Sequence, residues 1–318
     1  MNKNYIYCIL AIFLFSTIEL MGKILDTSVS PLAITCYRFI TGGVFLFLIY
    51  LIKGTKQKVE LYDFLEMSLV GILNVCVSMY MLQLGIYYGQ ANLSAIIISS
   101  NPIFVGIFAL FILKERFNVF NILSWIIGIF GISVVILGQF GVVTDSRNII
   151  LGIIFSVLAS ITFGLYTVLS KSIIQKYDIM LFNSISFIGG AIVLFILGLF
   201  SHQVMIFKPD LKNIVSMLYL GIFVTGIAYV FFFMGLKKIK TVSGSVFFLL
   251  KPIFATILAV LCLDENLSFI QVIGVIIVII SLFLNTFIEK IFYSKISYLT
   301  NFKYVMKAKS SYKRDKIN

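Results

Sequence analysis

Lys251, Glu19 and Arg38 are charged residues set deep within apolar stretches of about 20 residues, the length of a bilayer-spanning helix. A charge at mid-bilayer costs at least about 2.5–3.5 kcal/mol on insertion scales, so each must face a partner or a polar interior. Lys251 lies too far from either end of its stretch to snorkel. It fits an anchor for an anionic substrate group, a group that releases a proton during a cycle, or one arm of a salt bridge that fixes helix packing. Glu19 is the single carboxylate placed deep in a stretch, at a depth similar to that of Arg38. It pairs with Arg38, pairs with Lys23 one helical turn on, or serves as a proton or cation site.

Asn101, Tyr80, Tyr166 and Tyr229 add polar or amphipathic groups within such stretches, as do Asn74, Gln83, Asn92 and Ser99. Each reads either as lining of a substrate cavity or as an interhelical hydrogen bond. The run from Tyr229 to Phe233 covers every side of a helix, which predicts that part of it meets lipid. Pro102 and Pro252 lie near the middle of their stretches, where each removes an amide and frees the carbonyl of Ile98 or Phe248. A kink is predicted at each: a pair of hinges, or prolines simply tolerated in membrane helices. Glu115 and Glu265 fall at helix ends, where they cap or pair with loop amides, or take a role in transport.

What accompanies these groups limits their chemistry. His202 is the only histidine, and nothing near it in the sequence completes a nucleophile, base and orienting group. No P-loop is present. Cys8, Cys36, Cys76 and Cys262 sit singly in separate stretches, with no CxxC pair, and read as small buried apolar residues. The expectation is neither an enzyme nor a metal site, and no cofactor.

The elements that would position these residues follow from composition. Hydrophobic residues make up 60% of the 318, charged residues only 12%, and the mean hydropathy is +1.08. Soluble domains carry about 25% charge, so a water-soluble fold is excluded. Apolar runs predict helices near 5–25, 31–52, 64–85, 91–113 and 118–138, then near 150–170, 179–200, 213–235, 242–263 and 267–288. The first lacks a small-residue cleavage pattern and reads as a retained helix rather than a signal peptide.

The net charge of +12 resides in short connections and in the tail after residue 288, so it orients the chain in lipid rather than binding nucleic acid. With the N-terminus cytoplasmic, the inner connections hold Lys53, Lys56, Lys58, Lys114, Arg116, Lys171, Lys176, Lys237, Lys238 and Lys240, and the outer ones only Arg147, Lys208 and Lys212. Both termini are therefore expected in the cytoplasm.

Sliding the chain along itself by 150 residues pairs Gly71 with Gly221, Gly85 with Gly235, and Pro102-Ile103-Phe104 with Pro252-Ile253-Phe254. A slide of 148 pairs Ala11 with Ala159, Phe15 with Phe163, Phe39 with Phe187 and Gly42 with Gly190. Five helices is an odd number, so a second copy must enter the membrane from the opposite side. The charges agree: outer Tyr87-Tyr88-Gly89-Gln90 corresponds to inner Lys237-Lys238-Ile239-Lys240, and inner Lys114-Glu115-Arg116 to outer Asp264-Glu265-Asn266. Inverted halves can exchange conformations, which is the means of alternating access.

Asn101-Pro102-Ile103-Phe104 followed by Leu113-Lys114-Glu115-Arg116, repeated as Lys251-Pro252-Ile253-Phe254 followed by Leu263-Asp264-Glu265-Asn266, resembles the EamA domain of the drug/metabolite transporter superfamily. Arg38-Phe39 followed by Gly42-Gly43 is similar to the family pattern as well. The resemblance covers roughly residues 5–288 and implies an all-α membrane protein of ten transmembrane helices, which with the duplication gives two inverted five-helix EamA-like repeats, residues 1–148 and 149–288. The tail at 289–318, where Lys and Arg alternate with Tyr, Phe and Ile, is expected to be cytoplasmic and to meet membrane lipids. The resemblance also implies a central cavity lined mainly by helices 1, 3, 4, 6, 8 and 9.

The expected function is a secondary transporter or facilitator for small metabolites, amino-acid-like or other small organic solutes, working as an exporter in the cytoplasmic membrane with a proton as a coupling partner to be tested. The competing readings are a passive channel and an importer of a small organic cation that uses Glu19. Oligomeric state is left open.

Overall fold

A computed structural model describes residues 3–25, 29–54, 57–89, 91–115, 119–137, 148–201, 210–263 and 268–284. Regular structure among them is entirely helical. In chain order the helices are α1 (Lys3–Phe15, resuming over Thr17–Leu25), α2 (Pro31–Lys53), α3 (Leu61–Tyr88), α4 (Ala91–Ile98, then Asn101–Ile112), α5 (Val119–Leu137), α6 (Ile149–Lys176), α7 (Ile179–Phe200), α8 (Leu211–Lys238), α9 (Thr241–Ser245, Val246–Leu250, Lys251–Leu263) and α10 (Phe269–Phe283). Seven of these, α1 to α4 and α6 to α8, are long and apolar enough to cross a membrane, and α5, α9 and α10 contain shorter apolar helices.

The helix starts are written in the sequence. Ser30 accepts from the Ala33 N–H with Pro31 behind it, Asn148 accepts from Leu151, Asp178 from Met180, and Asp210 from Asn213. Gly54 ends α2 at φ 70°, a left-handed conformation that costs a residue without Cβ little. At one end of the bundle Lys53 pairs with Asp178 at 2.7 Å, Gln57 accepts from the Asp178 N–H, and Tyr177 donates to Asp63. The α2–α3 connection is thereby tied to the α6–α7 connection.

Helices at matching stations of the duplication pack on one another: α2 on α7, and α5 on α10. The remaining contacts also come in matched sets. α1 packs on α8 as α6 packs on α3, and α8 crosses α2 as α3 crosses α7. The repeated glycines sit at these crossings. A Cβ on Gly42 would lie 2.8 Å from the Gly221 carbonyl, and one on Gly190 would lie 2.5 Å from the Gly71 carbonyl. Gly85 meets Ser156 of α6, and Gly235 meets Cys8 of α1, which is the station 148 residues before Ser156. The glycines repeat because the same backbone approach is made twice.

Three features refine the expected helices. Pro102 and Pro252 each stand second in a helical segment, after a turn at Ser99-Ser100 in α4 and a 3₁₀ stretch in α9. A helix start needs no amide at that position, so restarting the helix avoids the clash a mid-helix proline would cause. The Phe248 carbonyl is not freed, because it accepts from the Lys251 N–H in a 3₁₀ turn.

Second, α3 and α8 widen to π-helix over Leu73–Met79 and Leu220–Ile227, at overlapping stations of the repeat. Third, most of the Tyr229 to Phe233 run faces protein: Tyr229, Val230, Phe232 and Phe233 are buried, and Phe231, stacked on Tyr7, is the one partly exposed. α8 is surrounded by α1, α2, α6, α7 and α9, and a helix apolar all round belongs in such a place. Lipid-type exposure falls instead on outward faces, at Leu51, Phe111, Phe130 and Ile276.

Candidate functional site

The buried centre of the bundle is built from rings. Tyr229 of α8 contacts Phe187 of α7 at 4.9 Å, Phe15 of α1 at 5.0 Å, Phe39 of α2 at 6.1 Å, Phe163 and Tyr166 of α6 at 6.3 Å, and Phe233 at 6.4 Å. Edge-to-face pairs dominate, which suits the positive edge and negative face of each ring. Phe15 with Phe163 and Phe39 with Phe187 are the aromatic pairs that the duplication repeats, so all four repeated rings converge on one phenol. The station equivalent to Tyr229 in the first half is Met79, so the phenol itself is not duplicated.

Charge and hydrogen-bonding capacity border these rings. Arg38 is buried, its guanidinium stacked over the Phe39 ring at 4.9 Å and within electrostatic range of Tyr229. Asn74, carried on the π segment of α3, lies beside Tyr229, and among the described residues neither of its amide atoms makes a well-formed hydrogen bond. The Tyr166 hydroxyl and its neighbour Ser170 are likewise without a well-formed bond, as is Thr225 on the π segment of α8. A buried polar group left unpaired costs about 1–3 kcal/mol, so a cluster of them is unusual in a bundle this apolar.

Lys251 is 1% exposed. It follows the 3₁₀ stretch of α9, in which residues three apart eclipse, so it shares a face with Phe248, whose ring touches Phe163 at 5.5 Å and Phe15 at 6.0 Å. Lys251 thus stands one turn from the aromatic centre.

Of the residues singled out in the sequence, Arg38, Tyr166 and Tyr229 come together, and Lys251 stands beside them. Asn101 does not join them. Its amide nitrogen donates to the Ser160 carbonyl of α6 at 3.0 Å, an interhelical bond, while its oxygen has no hydrogen-bond partner among the described residues. Tyr80 is half-buried against the core from α3. Glu19 lies on the second stretch of α1, but its side chain and that of Lys23 fall outside the described residues, as do the Asn92 side chain, His202, Glu265, Cys262 and the tail. Glu115 accepts from Thr241 and Val242, which is the cap expected of it.

Sequence reasoning passed over Thr225, Asn183 and Ser186, all buried with side-chain atoms that have no hydrogen-bond partner among the described residues. Their one signal is polarity within an apolar run. The aromatic convergence was available in the repeat as two pairs of phenylalanines, but not their shared contact with Tyr229.

The chain matches the model of the EamA-like transporter family over residues 2–137 and 150–287. A protein of Clostridium kluyveri named an uncharacterized transporter is 35% identical over 292 residues, 90% of this chain and 93% of its own length. Uncharacterized transporter YoaV of Bacillus subtilis is 26% identical, covering 81% of this chain and 88% of that protein. A solved structure titled "Crystal structure of protein" superposes with a TM-score of 0.75 at 17% identity, over 90% of this chain and 99% of that one.

Proposed function

This chain, a multi-span membrane protein, belongs to the EamA-like transporter family, and from that premise we propose that it carries small organic solutes across the cytoplasmic membrane by alternating access. In this reading residues 1–148 and 149–288 are two five-helix units inserted in opposite directions, ten spans in all, with both termini cytoplasmic and export as the working direction.

The observation that carries the proposal is the way equivalent helices meet. Along α2 and α7 the contacts run from Cys36 with Ala191, through Phe39 with Phe187, to Lys53 with Asp178. Along α5 and α10 they run from Gly128 with Ser281 to Gly131 with Val278. One partner's number rises as the other's falls, so both pairs are antiparallel. Equivalent members of two halves that run antiparallel fit an axis perpendicular to the helices, and that is the symmetry by which two halves can exchange inward and outward forms.

In this reading the solute has an apolar or planar body and an anionic group and is amino-acid-like in size, and the side chains gathered at the centre support it. Rings from six helices supply the walls, Arg38 and Lys251 supply positive charge, and Asn74 offers both a donor and an acceptor. In a low-dielectric interior such groups act strongly on a bound charge. The family and the relatives' names are those of transporters, not of enzymes.

Substrate counterflow in proteoliposomes tests the reading. Saturable uptake of labelled solute driven by unlabelled solute on the other side supports a carrier; flux that neither saturates nor shows counterflow is that of a channel and rejects alternating access.

A further inference from the structure

Three side chains, one from just past α4 and two from α6, converge on the short connection between α8 and α9. Glu115, just past α4, accepts from the Thr241 N–H at 3.0 Å, the Thr241 hydroxyl at 2.9 Å and the Val242 N–H at 3.3 Å. Lys171 of α6 donates to the Leu236 and Ile239 carbonyls, the latter at 2.8 Å. Gln175, one turn further along α6, donates to the Lys237 carbonyl at 2.9 Å. The final carbonyls of α8 and the first amides of α9 are thus held by ionic groups of opposite sign, each matched to the helix end it touches. Glu115 and Lys171 are also within electrostatic range of each other.

The chain is bent to make this contact. Lys114, the residue before Glu115, takes φ 54°, and among the described residues it is the one non-glycine in the left-handed region. That turn returns the Glu115 N–H to the Ala109 carbonyl at 3.1 Å and sets its carboxylate toward α9. A strained residue persists where its surroundings require it. In the sequence the offset of 150 pairs Glu115 with Glu265, and the offset of 148 pairs Lys171 with Lys23, so the same two charges recur in the other half.

We infer that Glu115 and Lys171 form a latch that holds the α8–α9 connection against α4 and α6 and closes that end of the molecule. The inference rests on the alternating-access reading, in which this end is cytoplasmic. Opening there requires the α8–α9 connection to leave α4 and α6, and the bonds from Glu115, Lys171 and Gln175 to that connection span the boundary. Behind the latch lies Cys8 of α1, fully buried, against Gly235 and within electrostatic range of Lys171.

Cys8 is the reporter. In inside-out vesicles holding the full chain, a membrane-impermeant maleimide is applied and its adducts are located by peptide mass. Glu115→Gln and Lys171→Met should each raise the rate of Cys8 modification by roughly tenfold, the population shift that follows loss of one charge-assisted hydrogen bond. Cys36, buried between α2 and α7, should stay unmodified. Unchanged Cys8 rates in both variants overturn the latch. If a variant exposes Cys36 as well, its fold is lost and Thr241→Val decides, since it removes a single hydroxyl bond: Cys8 alone must respond, and no response overturns the inference. Counterflow by the unaltered protein is measured separately. A responsive Cys8 without counterflow rejects the transporter reading, whereas counterflow with an unresponsive Cys8 rejects only the latch.

Discussion

Phe39 and Phe187 occupy the same station in the two halves of the sequence, and in the folded chain their rings meet edge to face, centroids 5.0 Å apart and planes at 80°. Both rings also touch Tyr229. A residue that packs on its own repeat equivalent lies where any axis relating the halves would pass, so this pair puts the aromatic centre at the middle of the duplication. The walls of the centre come in matched pairs while the phenol does not, and a solute there would meet a different surface from each half.

Neighbouring glycines of α7 give a sharp test of the crossings. A Cβ on Gly190 would lie 2.5 Å from the Gly71 carbonyl, whereas the nearest atom to one on Gly189 is the Ser68 hydroxyl at 3.4 Å, ordinary contact. Gly190→Ala should lower stability by about 1–3 kcal/mol through overpacking. Gly189→Ala should be neutral or stabilising by up to about 1 kcal/mol, because alanine favours helix. Thermal melts of the purified protein in detergent compare the two. Equal effects at both positions would show that the α3–α7 approach is not as close as described.

Much of this fold was legible because the chain states it twice. Gly42 and Gly190, Phe39 and Phe187, and Gly85 and Gly235 recur at fixed offsets, and each recurrence is a contact made once from either half. Lys251 was legible as buried because no length of side chain reaches from its station to water. The π segments were not, since a helix widens in response to its neighbours rather than to its own residues. The prolines announce a missing amide but not whether a helix bends or restarts. The Tyr229 to Phe233 run reads identically for a helix in lipid and for one at the centre, and only the packing of α8 decides between them. Thr225, Asn183 and Ser186 look like residues that bond to their own helix, as Thr167 does with the Phe163 carbonyl.

Sidedness, expected from the placement of Lys and Arg in the connections, can be checked directly. Cysteines substituted in the connections at 86–90 and 264–266 should react with an impermeant reagent on intact cells, and those at 237–240 should react only after the membrane is breached. Lys237, Lys238 and Lys240 carry the charge that retains a connection inside. The opposite labelling pattern would reject the assignment of sides, and labelling of all three from one side would reject the inversion itself.

Asp178 links stability to pH. Burial pushes its carboxyl up, but the hydrogen bond from Lys53 and the N–H groups of Met180 and Leu181 outweigh that and hold it below its ordinary value. A carboxyl lower in the folded than in the unfolded chain stabilises fully above the unfolded value, about 3.9, and loses that contribution as pH falls through the folded value. Asp178→Ala removes both the ion pair and the α7 cap and should cost about 1–2 kcal/mol at pH 7. Asp178→Asn can still cap and should cost less than about 1 kcal/mol, a deficit that shrinks in buffers below about pH 4. A deficit that stays constant from neutral to acid pH would mean that the charge of Asp178 contributes nothing.

Lys251 offers the test that separates substrate binding from packing. Lys251→Met keeps length and apolar bulk beside Pro252 while removing the charge, so the protein should remain folded. If the ammonium holds an anionic group of the solute, counterflow of a carboxylate-bearing substrate should fall by roughly tenfold or more, the loss expected for one charge-assisted contact. If instead Lys251 only balances Glu19, the single substitution strands a buried carboxylate, and adding Glu19→Gln should restore stability and flux together. For an anchor, the double variant stays as inactive as the single one, because nothing has replaced the cation the substrate needs. Normal flux in Lys251→Met at matched expression and across pH would remove Lys251 from both binding and proton coupling, and would leave Arg38 as the described cation at the aromatic centre.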